Sequence, residues 1–160
     1  MTENVAETGG RDPLVDRLVA KVPDLDARTY LFRGDATVTV PPDRLLEVMK
    51  VLRDDLGFEL LVDIGGIHYP GREKCFEVAY VVRNVKEPAR FRVKVQAGPD
   101  EPVPSLVPLW PGANWHEREA YDMLGIRFAG HPDLTRIFMP DDFTEFPLRK
   151  EFPLRGRDEG

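Results

Sequence analysis

Proline is distributed unevenly along this sequence, and that distribution limits the possible folds more than any other feature. Nine of the fifteen prolines lie within residues 99–153. Proline fixes φ and removes a backbone hydrogen-bond donor, so this region has room for little regular structure. One helix fits, over residues 114–124. Asn114 and Glu117 are predicted to form its capping box, and Gly125 is predicted to end it.

The part before residue 98 alternates between the hydrophobic periodicity of helices and that of strands. Asp12 followed by Pro13 is typical of a helix start, and residues 33–35 (RGD) form a predicted hairpin turn. The predicted elements are a helix at 13–22, strands at 29–32 and 36–40, a helix opened by residues 41–43 and ended by Gly57, and strands at 58–64, 76–83 and 91–97. This α-β-β-α-β-β-β order predicts an α+β fold, a two-layer sandwich with a mostly antiparallel or mixed sheet.

The same patterns predict how the chain is organised. We expect a flexible N terminus at 1–11, an α+β domain at 12–97 and a C-terminal extension at 98–160. The extension holds the helix at 114–124 and ends in an extended Pro-rich strap, residues 140–160, which we call the tail. We expect the tail to wrap a partner.

Charge and cysteine content narrow the class of protein. Lys and Arg total 22 and Asp and Glu total 28, so the net charge is −6, which argues against a nucleic-acid binder. Cys75 is the only cysteine, which excludes an intrachain disulfide and a cluster held by several thiolates of this chain. The first ten residues carry two glutamates and no Lys or Arg, unlike a secretory leader. Membrane association is therefore expected only through a partner.

The motifs for nucleotide and metal chemistry are incomplete. Residues 66–73 (GIHYPGRE) have the glycine spacing of a phosphate loop, but Arg72 replaces its lysine. His116 and Glu117 resemble half of a zinc-protease helix, but the second histidine is replaced by Ala120. We therefore predict no catalytic, cofactor-binding or metal-binding residue in this chain. A small metal-dependent hydrolase stays open as the alternative from another class.

The helix at 114–124 carries carboxylates in unusual places. Glu117 and Glu119 each fall inside an apolar arc of the helix. Arg118 and Asp122 share its remaining face at i, i+4 spacing. Because an unpaired buried charge costs several kcal/mol, buried carboxylates need partners. Either both glutamates reach solvent at the margins of the arcs, or the helix is covered by its own sheet on one side and by another chain on the other.

The tail contains a short repeat. The sequence FPLR occurs at 146–149 and again at 152–155. The two copies and their flanks present two phenylalanines, two leucines and four basic side chains, namely Arg149, Lys150, Arg155 and Arg157. A proline-containing segment loses little entropy when it docks, so it suits the surface of a partner. The alternative is that the tail wraps its own domain.

These motifs together resemble a known family. The sequences NWHEREAYDMLGI at 114–126, GHPDL at 130–134 and PLRK at 147–150 are similar to those of the C subunit of proton-pumping NADH-quinone oxidoreductase, respiratory complex I. The similarity is dense over residues 109–156. Thr135 departs from it, because family members usually carry a basic residue there.

The resemblance implies a non-catalytic subunit in the hydrophilic arm of complex I, peripheral on the cytoplasmic side of the cell membrane. It implies packing against the large D subunit that helps to form the quinone cavity, which we call the quinone-cavity subunit. Other subunits would bind FMN, iron–sulfur clusters, NADH and quinone. Homologous subunits of coenzyme F420-dependent dehydrogenases and membrane-bound hydrogenases are the alternative within this class. The structural or interface candidates are Glu117, Arg118, Glu119, Asp122, His131, Arg136, Phe146, Arg149, Lys150, Phe152 and Arg155.

Overall fold

The computed structural model describes residues 12–156. The helices are α1 (Pro13–Lys21), α2 (Leu45–Asp54, preceded by a 3-10 turn at Pro42–Arg44) and α3 (Ala113–Leu124). The strands are β1 (Arg28–Phe32), β2 (Asp35–Val40), β3 (Leu60–His68), β4 (Phe76–Asn84), β5 (Ala89–Ala97), β6 (Val103–Pro104) and β7 (Phe128–Ala129). The predicted flexible segment 1–11 and the basic residue Arg157 lie outside the described residues.

Five strands form one mixed sheet in the order β1-β2-β5-β4-β3, and β6 and β7 form a separate parallel pair. β1 and β2 are antiparallel, with Tyr30 opposite Thr37. β2 and β5 are parallel, with Val38 opposite Val93. Parallel neighbours require a crossover connection, which here runs through α2, β3 and β4. The predicted α+β class and order of elements are confirmed.

Local signals fix the first helix and the first hairpin. The Leu14 N–H donates a 2.8 Å hydrogen bond to Asp12 Oδ1, and Pro13 is the first helical residue, so the predicted start of α1 is confirmed. Arg33 and Gly34 have φ values of 52° and 83°. Positive φ at both central residues is what a two-residue type I′ turn requires, so the predicted hairpin is confirmed as well.

Strand β3 begins later than predicted. It runs over Leu60–His68 rather than 58–64. The Phe58 N–H donates a 2.9 Å hydrogen bond to the Leu52 carbonyl in the last turn of α2, and the Phe58 ring packs edge-on against Phe91. Because this backbone group closes the preceding helix, the strand begins only beyond it.

The start of α3 also differs from the prediction. Its N-cap residue is Gly112, and among the described residues no side chain caps it, so the predicted capping box is wrong. The reason is that the Glu117 carboxylate bonds to Ser105 and Leu106 instead. The predicted end is confirmed, since Gly125 has φ 77° in the left-handed region.

The tail turns repeatedly instead of running extended. Backbone i to i+3 hydrogen bonds join Phe143 to Pro140, Arg149 to Phe146, Phe152 to Arg149, and Gly156 to Pro153. Proline presets φ for the second position of such turns, and Pro147 occupies that position in the second of them. Pro147 therefore favours a bend in the chain here rather than an extended segment.

The described residues divide into two compact units. The first comprises 12–63 and 79–96, and the second comprises 64–78 and 97–156. Residues 64–78 thus group with the C-terminal segment, whereas the predicted boundary at residue 97 placed them on the other side. Close packing explains this grouping, because a Cβ on Gly66 would lie 2.6 Å from the Leu124 side chain and 3.0 Å from that of Ile126.

Each unit has its own apolar core. The fully buried core side chains of the first unit include Leu18, Val38, Leu45, Val48, Met49, Leu52, Tyr80, Phe91 and Val93. Those of the second include Val78, Val103, Leu106 and Ala113, with Phe76, Ile126 and Leu124 nearly as buried. Helix α3 lies in the second unit.

Candidate functional site

Helix α3 carries two fully buried carboxylates, Glu117 and Asp122. Glu117 belongs to a stripe with Ala113, Ala120 and Leu124, whose spacing places them on one face of the helix. Asp122 is buried on a different face. Each carboxylate binds a different segment of the chain, so α3 is held on two sides by its own unit.

The Glu117 carboxylate binds the segment that follows β6. Its Oε2 accepts a 2.6 Å hydrogen bond from the Ser105 hydroxyl, and its Oε1 accepts a 2.6 Å hydrogen bond from the Leu106 N–H. Burial raises the pKa of Glu117, and these two hydrogen bonds together with nearby His131 oppose that rise only in part. The net direction is a raised pKa.

The His131 side chain stands beside Glu117. Its Nδ1 accepts a 3.0 Å hydrogen bond from the Asp133 N–H, so the ring proton lies on Nε2. Nε2 lies 3.2 Å from the Asn114 carbonyl and 3.9 Å from Glu117 Oε2. The GHPDL segment therefore anchors its histidine against the first turn of α3.

The raised pKa of Glu117 predicts a specific pH dependence. Because the folded state favours the protonated acid, stability is lost as pH rises from the ordinary glutamate pKa through the raised one. A Glu117→Gln variant lacks this titration. We expect the unfolding free energy of the wild type minus that of the variant to fall with rising pH, by up to about 1.4 kcal/mol per unit of pKa elevation.

Urea unfolding of both proteins between roughly pH 4 and pH 8 measures this difference. Glu119→Gln is the matched control, since Glu119 lies on the same helix but is exposed. The control difference should stay flat across this range. A Glu117 difference that rises with pH would contradict the burial argument.

The Asp122 carboxylate binds the segment after the GHPDL motif. Oδ1 accepts a 2.7 Å hydrogen bond from Arg136 Nη1, and Oδ2 accepts hydrogen bonds from three consecutive backbone N–H groups, those of Ile137 (3.1 Å), Phe138 (2.6 Å) and Met139 (3.0 Å). Burial by itself raises the pKa of Asp122. The backbone and guanidinium donors outweigh burial, and the net pKa is lowered.

Arg118 lies on the same side of α3 as Asp122, as the helical spacing predicted, and both side chains bond the segment at residues 135–139. Arg118 bonds the chain that crosses α3: its Nη2 donates to Thr135 Oγ1 at 2.9 Å and its Nε donates to the Thr135 carbonyl at 3.1 Å. The guanidinium also lies over the Trp115 ring, 5.1 Å from its centroid. The hydroxyl of Thr135, the residue that departs from the family pattern, is thus a partner of Arg118.

The carbonyl groups of the last turn of α3 are all hydrogen-bonded. A helix leaves its last four carbonyls without partners inside the helix. Here their donors are the N–H of Gly125 for Tyr121 (2.7 Å), Arg136 Nη1 for Asp122 (3.1 Å), the N–H of Leu148 for Met123 (3.0 Å) and Arg149 Nε for Leu124 (2.7 Å). The first FPLR copy of the tail therefore caps this helix.

The Arg149 side chain also packs on aromatic rings. Its guanidinium carbon lies 4.4 Å from the centroid of Phe146 and 5.3 Å from that of Phe76. The next residue, Lys150, donates its N–H to His68 Nδ1 at 3.1 Å. Residues 146–150 are thus fastened to their own unit by the Leu148 N–H, by the Arg149 side chain and by the Lys150 N–H.

The family model described as "Respiratory-chain NADH dehydrogenase, 30 Kd subunit" matches residues 38–158. The chain belongs to this family. The match includes α3, the GHPDL segment and most of the tail, so the resemblance drawn from these motifs is confirmed.

Two relatives from the 30 Kd family illustrate the match, both named as the C subunit of NADH-quinone oxidoreductase. The protein of Methylobacterium sp. (strain 4-46) is 43% identical over 157 residues, which cover 97% of this chain and 73% of the relative. The protein of Roseiflexus sp. (strain RS-1) is 47% identical over 144 residues, which cover 88% of this chain and 83% of the relative.

A solved structure shares the fold. One chain in the structure of the membrane-bound sulfane sulfur reductase (MBS), an archaeal respiratory membrane complex, superposes with a TM-score of 0.72 at 25% sequence identity. The similarity covers 88% of this chain and 84% of that chain.

The structure separates the predicted site residues of this family member into two groups. Buried or half-buried within the second unit are Glu117, Arg118, Asp122, His131, Arg136, Phe146, Arg149 and Phe152. Exposed are Glu119, Lys150 and Arg155. The sequence predicts either that both glutamates reach solvent or that both are covered. Instead, Glu117 is covered by its own chain and Glu119 faces solvent.

Four ionic candidates, Glu117, Asp122, Arg136 and Arg149, find bonding partners within their own chain. Each of them bonds within its own unit. Sequence reasoning also missed Ser105 and His68, which hold Glu117 and Lys150. The family motifs include neither residue, and their partners lie 12 and 82 positions away along the chain.

Two structural properties bear on cofactors and membranes. Within residues 12–156 no group of three or more His, Cys, Asp or Glu side chains is placed to hold a metal ion. Among the helices of the same residues, none has the length and apolar character needed to span a bilayer.

Proposed function

We propose that this chain is a non-catalytic subunit in the hydrophilic arm of a proton-translocating NADH-quinone oxidoreductase, where it acts as a scaffold for the quinone-cavity subunit. It carries no redox centre of its own, and other subunits bind FMN, the iron–sulfur clusters, NADH and the quinone. It associates with the membrane only through the complex, peripherally on the cytoplasmic side.

The burial and bonding of the carboxylates in the family's motif helix support the scaffold role. The Glu117 and Asp122 side chains are fully buried and bonded to backbone and side-chain groups of their own unit. A group that touches a substrate must be reachable by it, and these carboxylates are not. Their hydrogen bonds to other segments of the unit are suited to keeping its surface rigid.

The single observation that carries the proposal is the exposed apolar surface of the second unit. Five large apolar side chains are exposed there: Ile67 at 38%, Trp115 at 60%, Phe138 at 61%, Leu148 at 59% and Leu154 at 106%. Aromatic and aliphatic side chains presented by a rigid frame are typical anchors of protein–protein interfaces. The quinone-cavity subunit is the partner that the family resemblance implies.

Co-expression with the quinone-cavity subunit of the same organism tests this. The full-length chain should co-purify with that subunit, and the isolated chain should not oxidise NADH. Removal of residues 140–160 should abolish co-purification, because it removes two exposed leucines and uncaps α3. A truncated chain that co-purifies at full yield would contradict a role of the tail, and a full-length chain that does not bind the quinone-cavity subunit would overturn the proposal.

A point variant removes apolar surface without removing the helix cap. Leu148→Ser keeps the Leu148 N–H that bonds α3, so the melting temperature should stay within about 2 °C while the affinity for the quinone-cavity subunit falls about tenfold. Val85→Ser is the matched control, since Val85 is 66% exposed but lies in the first unit. Equal losses for the two variants would contradict a specific surface on the second unit.

The fold shared with the archaeal membrane complex favours a second candidate. The same scaffold would then serve a cousin complex, such as a coenzyme F420-dependent dehydrogenase or a membrane-bound hydrogenase. Neighbouring genes discriminate the two: genes for NADH-binding subunits support complex I, and hydrogenase maturation genes support the cousin.

A further inference from the structure

The two FPLR copies of the tail have the same sequence but different surroundings. The first copy, residues 146–149, packs on α3 of its own chain. The second copy, residues 152–155, ends in two exposed residues, Leu154 and Arg155. A short sequence that occurs twice can use one mode of binding twice, and the first copy shows what that mode is.

The first copy recognises the C-terminal end of a helix. The Leu148 N–H and Arg149 Nε donate to the last carbonyls of α3, those of Met123 and Leu124, at 3.0 and 2.7 Å. These carbonyls carry the negative partial charge of the helix end, which a guanidinium complements. The recognised features are backbone groups and charge, so any helix with an open C-terminal end offers them.

A glycine completes this binding mode. A Cβ on Gly125 would lie 2.6 Å from Arg149 Nη2 and 2.8 Å from the Phe146 ring. The absence of a side chain therefore lets the arginine and the phenylalanine reach the helix end. Helices often end in such a glycine, so this acceptor is a common structure rather than a peculiarity of α3.

The second copy is held in place but has no such acceptor within residues 12–156. The Phe152 ring is half-buried and lies 6.3 Å from Phe143, centroid to centroid. Turns close on both sides of it, from the Phe152 N–H to the Arg149 carbonyl and from the Gly156 N–H to the Pro153 carbonyl, each at 3.0 Å. Leu154 is fully exposed at 106%. The leucine and arginine are therefore presented by a preorganised segment, which lowers the entropy cost of docking.

On the basis of the proposed function, we propose that the second copy binds the C-terminal end of a helix in the quinone-cavity subunit. Arg155 and the Leu154 N–H donate to the last carbonyls of that helix, as Arg149 and the Leu148 N–H do on α3. The first copy then binds a helix end within its own chain, and the second binds a helix end in the partner.

Paired variants of the two copies test this assignment in the full-length chain. Arg155→Ala should weaken binding to the purified quinone-cavity subunit about ten- to a hundredfold and leave the melting temperature unchanged, since a charged hydrogen bond is lost only in the complex. Arg149→Ala, the matched variant in the first copy, should lower the melting temperature by at least about 4 °C. Arg155→Lys should lose part of the affinity, because lysine keeps the charge but not the planar set of donors.

A photoreactive residue at position 154 tests the chemistry of the acceptor. Cross-links to the quinone-cavity subunit, mapped by mass spectrometry, should fall within the last turn of a helix. Cross-links confined to a strand or to the middle of a helix would overturn the inference, as would full affinity of Arg155→Ala. If the wild-type chain does not bind the quinone-cavity subunit, both the proposed function and this inference are overturned. If the wild type and Arg155→Ala bind that subunit equally well, only the inference is overturned.

Discussion

An Asp122→Ala variant of this chain is expected to unfold with a free energy about 3–5 kcal/mol below that of the wild type. The substitution leaves Arg136, whose side chain is only 10% exposed, without its carboxylate partner. It also removes the acceptor of the three N–H groups at residues 137–139. Urea denaturation at neutral pH measures the loss.

Two further variants make this result specific. Glu119→Ala lies on the exposed face of the same helix, so its effect should stay within about 0.5 kcal/mol. Asp122→Asn should fall between the two, because its amide oxygen still accepts hydrogen bonds but carries no charge. An Asp122→Ala loss no larger than that of Glu119→Ala would show that the carboxylate does not hold the segment after the GHPDL motif.

The pH dependence of the Asp122 contribution runs opposite to that of Glu117. The pKa of Asp122 is lowered, so its stabilising effect is present above the ordinary aspartate pKa and is lost as pH falls through the lowered one. The wild type minus Asp122→Asn difference should therefore shrink on acidification. The wild type minus Glu117→Gln difference should instead grow on acidification, and it should do so at higher pH, between the raised pKa of Glu117 and the ordinary glutamate pKa.

A Gly125→Ala variant is expected to lose about 2–5 kcal/mol, the second large effect. Gly125 has φ 77°, and an alanine in the left-handed region costs about 1–2 kcal/mol. The added Cβ would also lie 2.6 Å from Arg149 Nη2 and 2.8 Å from the Phe146 ring, and such overpacking costs about 1–3 kcal/mol more. The first FPLR copy should detach from α3, which limited proteolysis of the tail would reveal.

A Gly130→Ala variant separates the backbone cost of the Gly125 substitution from its overpacking cost. Gly130 has a similar φ of 81°, but a Cβ there meets nothing within 4 Å. This control should lose only about 1–2 kcal/mol and leave the tail protected. Equal losses for Gly125→Ala and Gly130→Ala would mean that the tail does not depend on the close approach at Gly125.

Much of the fold was predictable because its signals are local. The Asp12-Pro13 start, the Arg33-Gly34 turn and the Gly125 stop each act within a few residues, and all three are confirmed. The start of β3 was missed because Phe58 uses its N–H to close the end of the preceding helix. The predicted capping box was wrong because Glu117 bonds to Ser105, outside the helix.

The sequence by itself determined the three helices, the five strands of the main sheet, their order and the family, since periodicity, turn residues and motif spacing are properties of neighbours along the chain. Only the tertiary structure decided which carboxylates are buried and what they bind. A helical wheel places Glu117 and Glu119 alike in apolar arcs, yet one is buried and the other is exposed. The difference arises because burial depends on which distant segments fold over each face, and the energy of a buried charge depends on donors such as Leu106 and Arg136 that come close only in three dimensions.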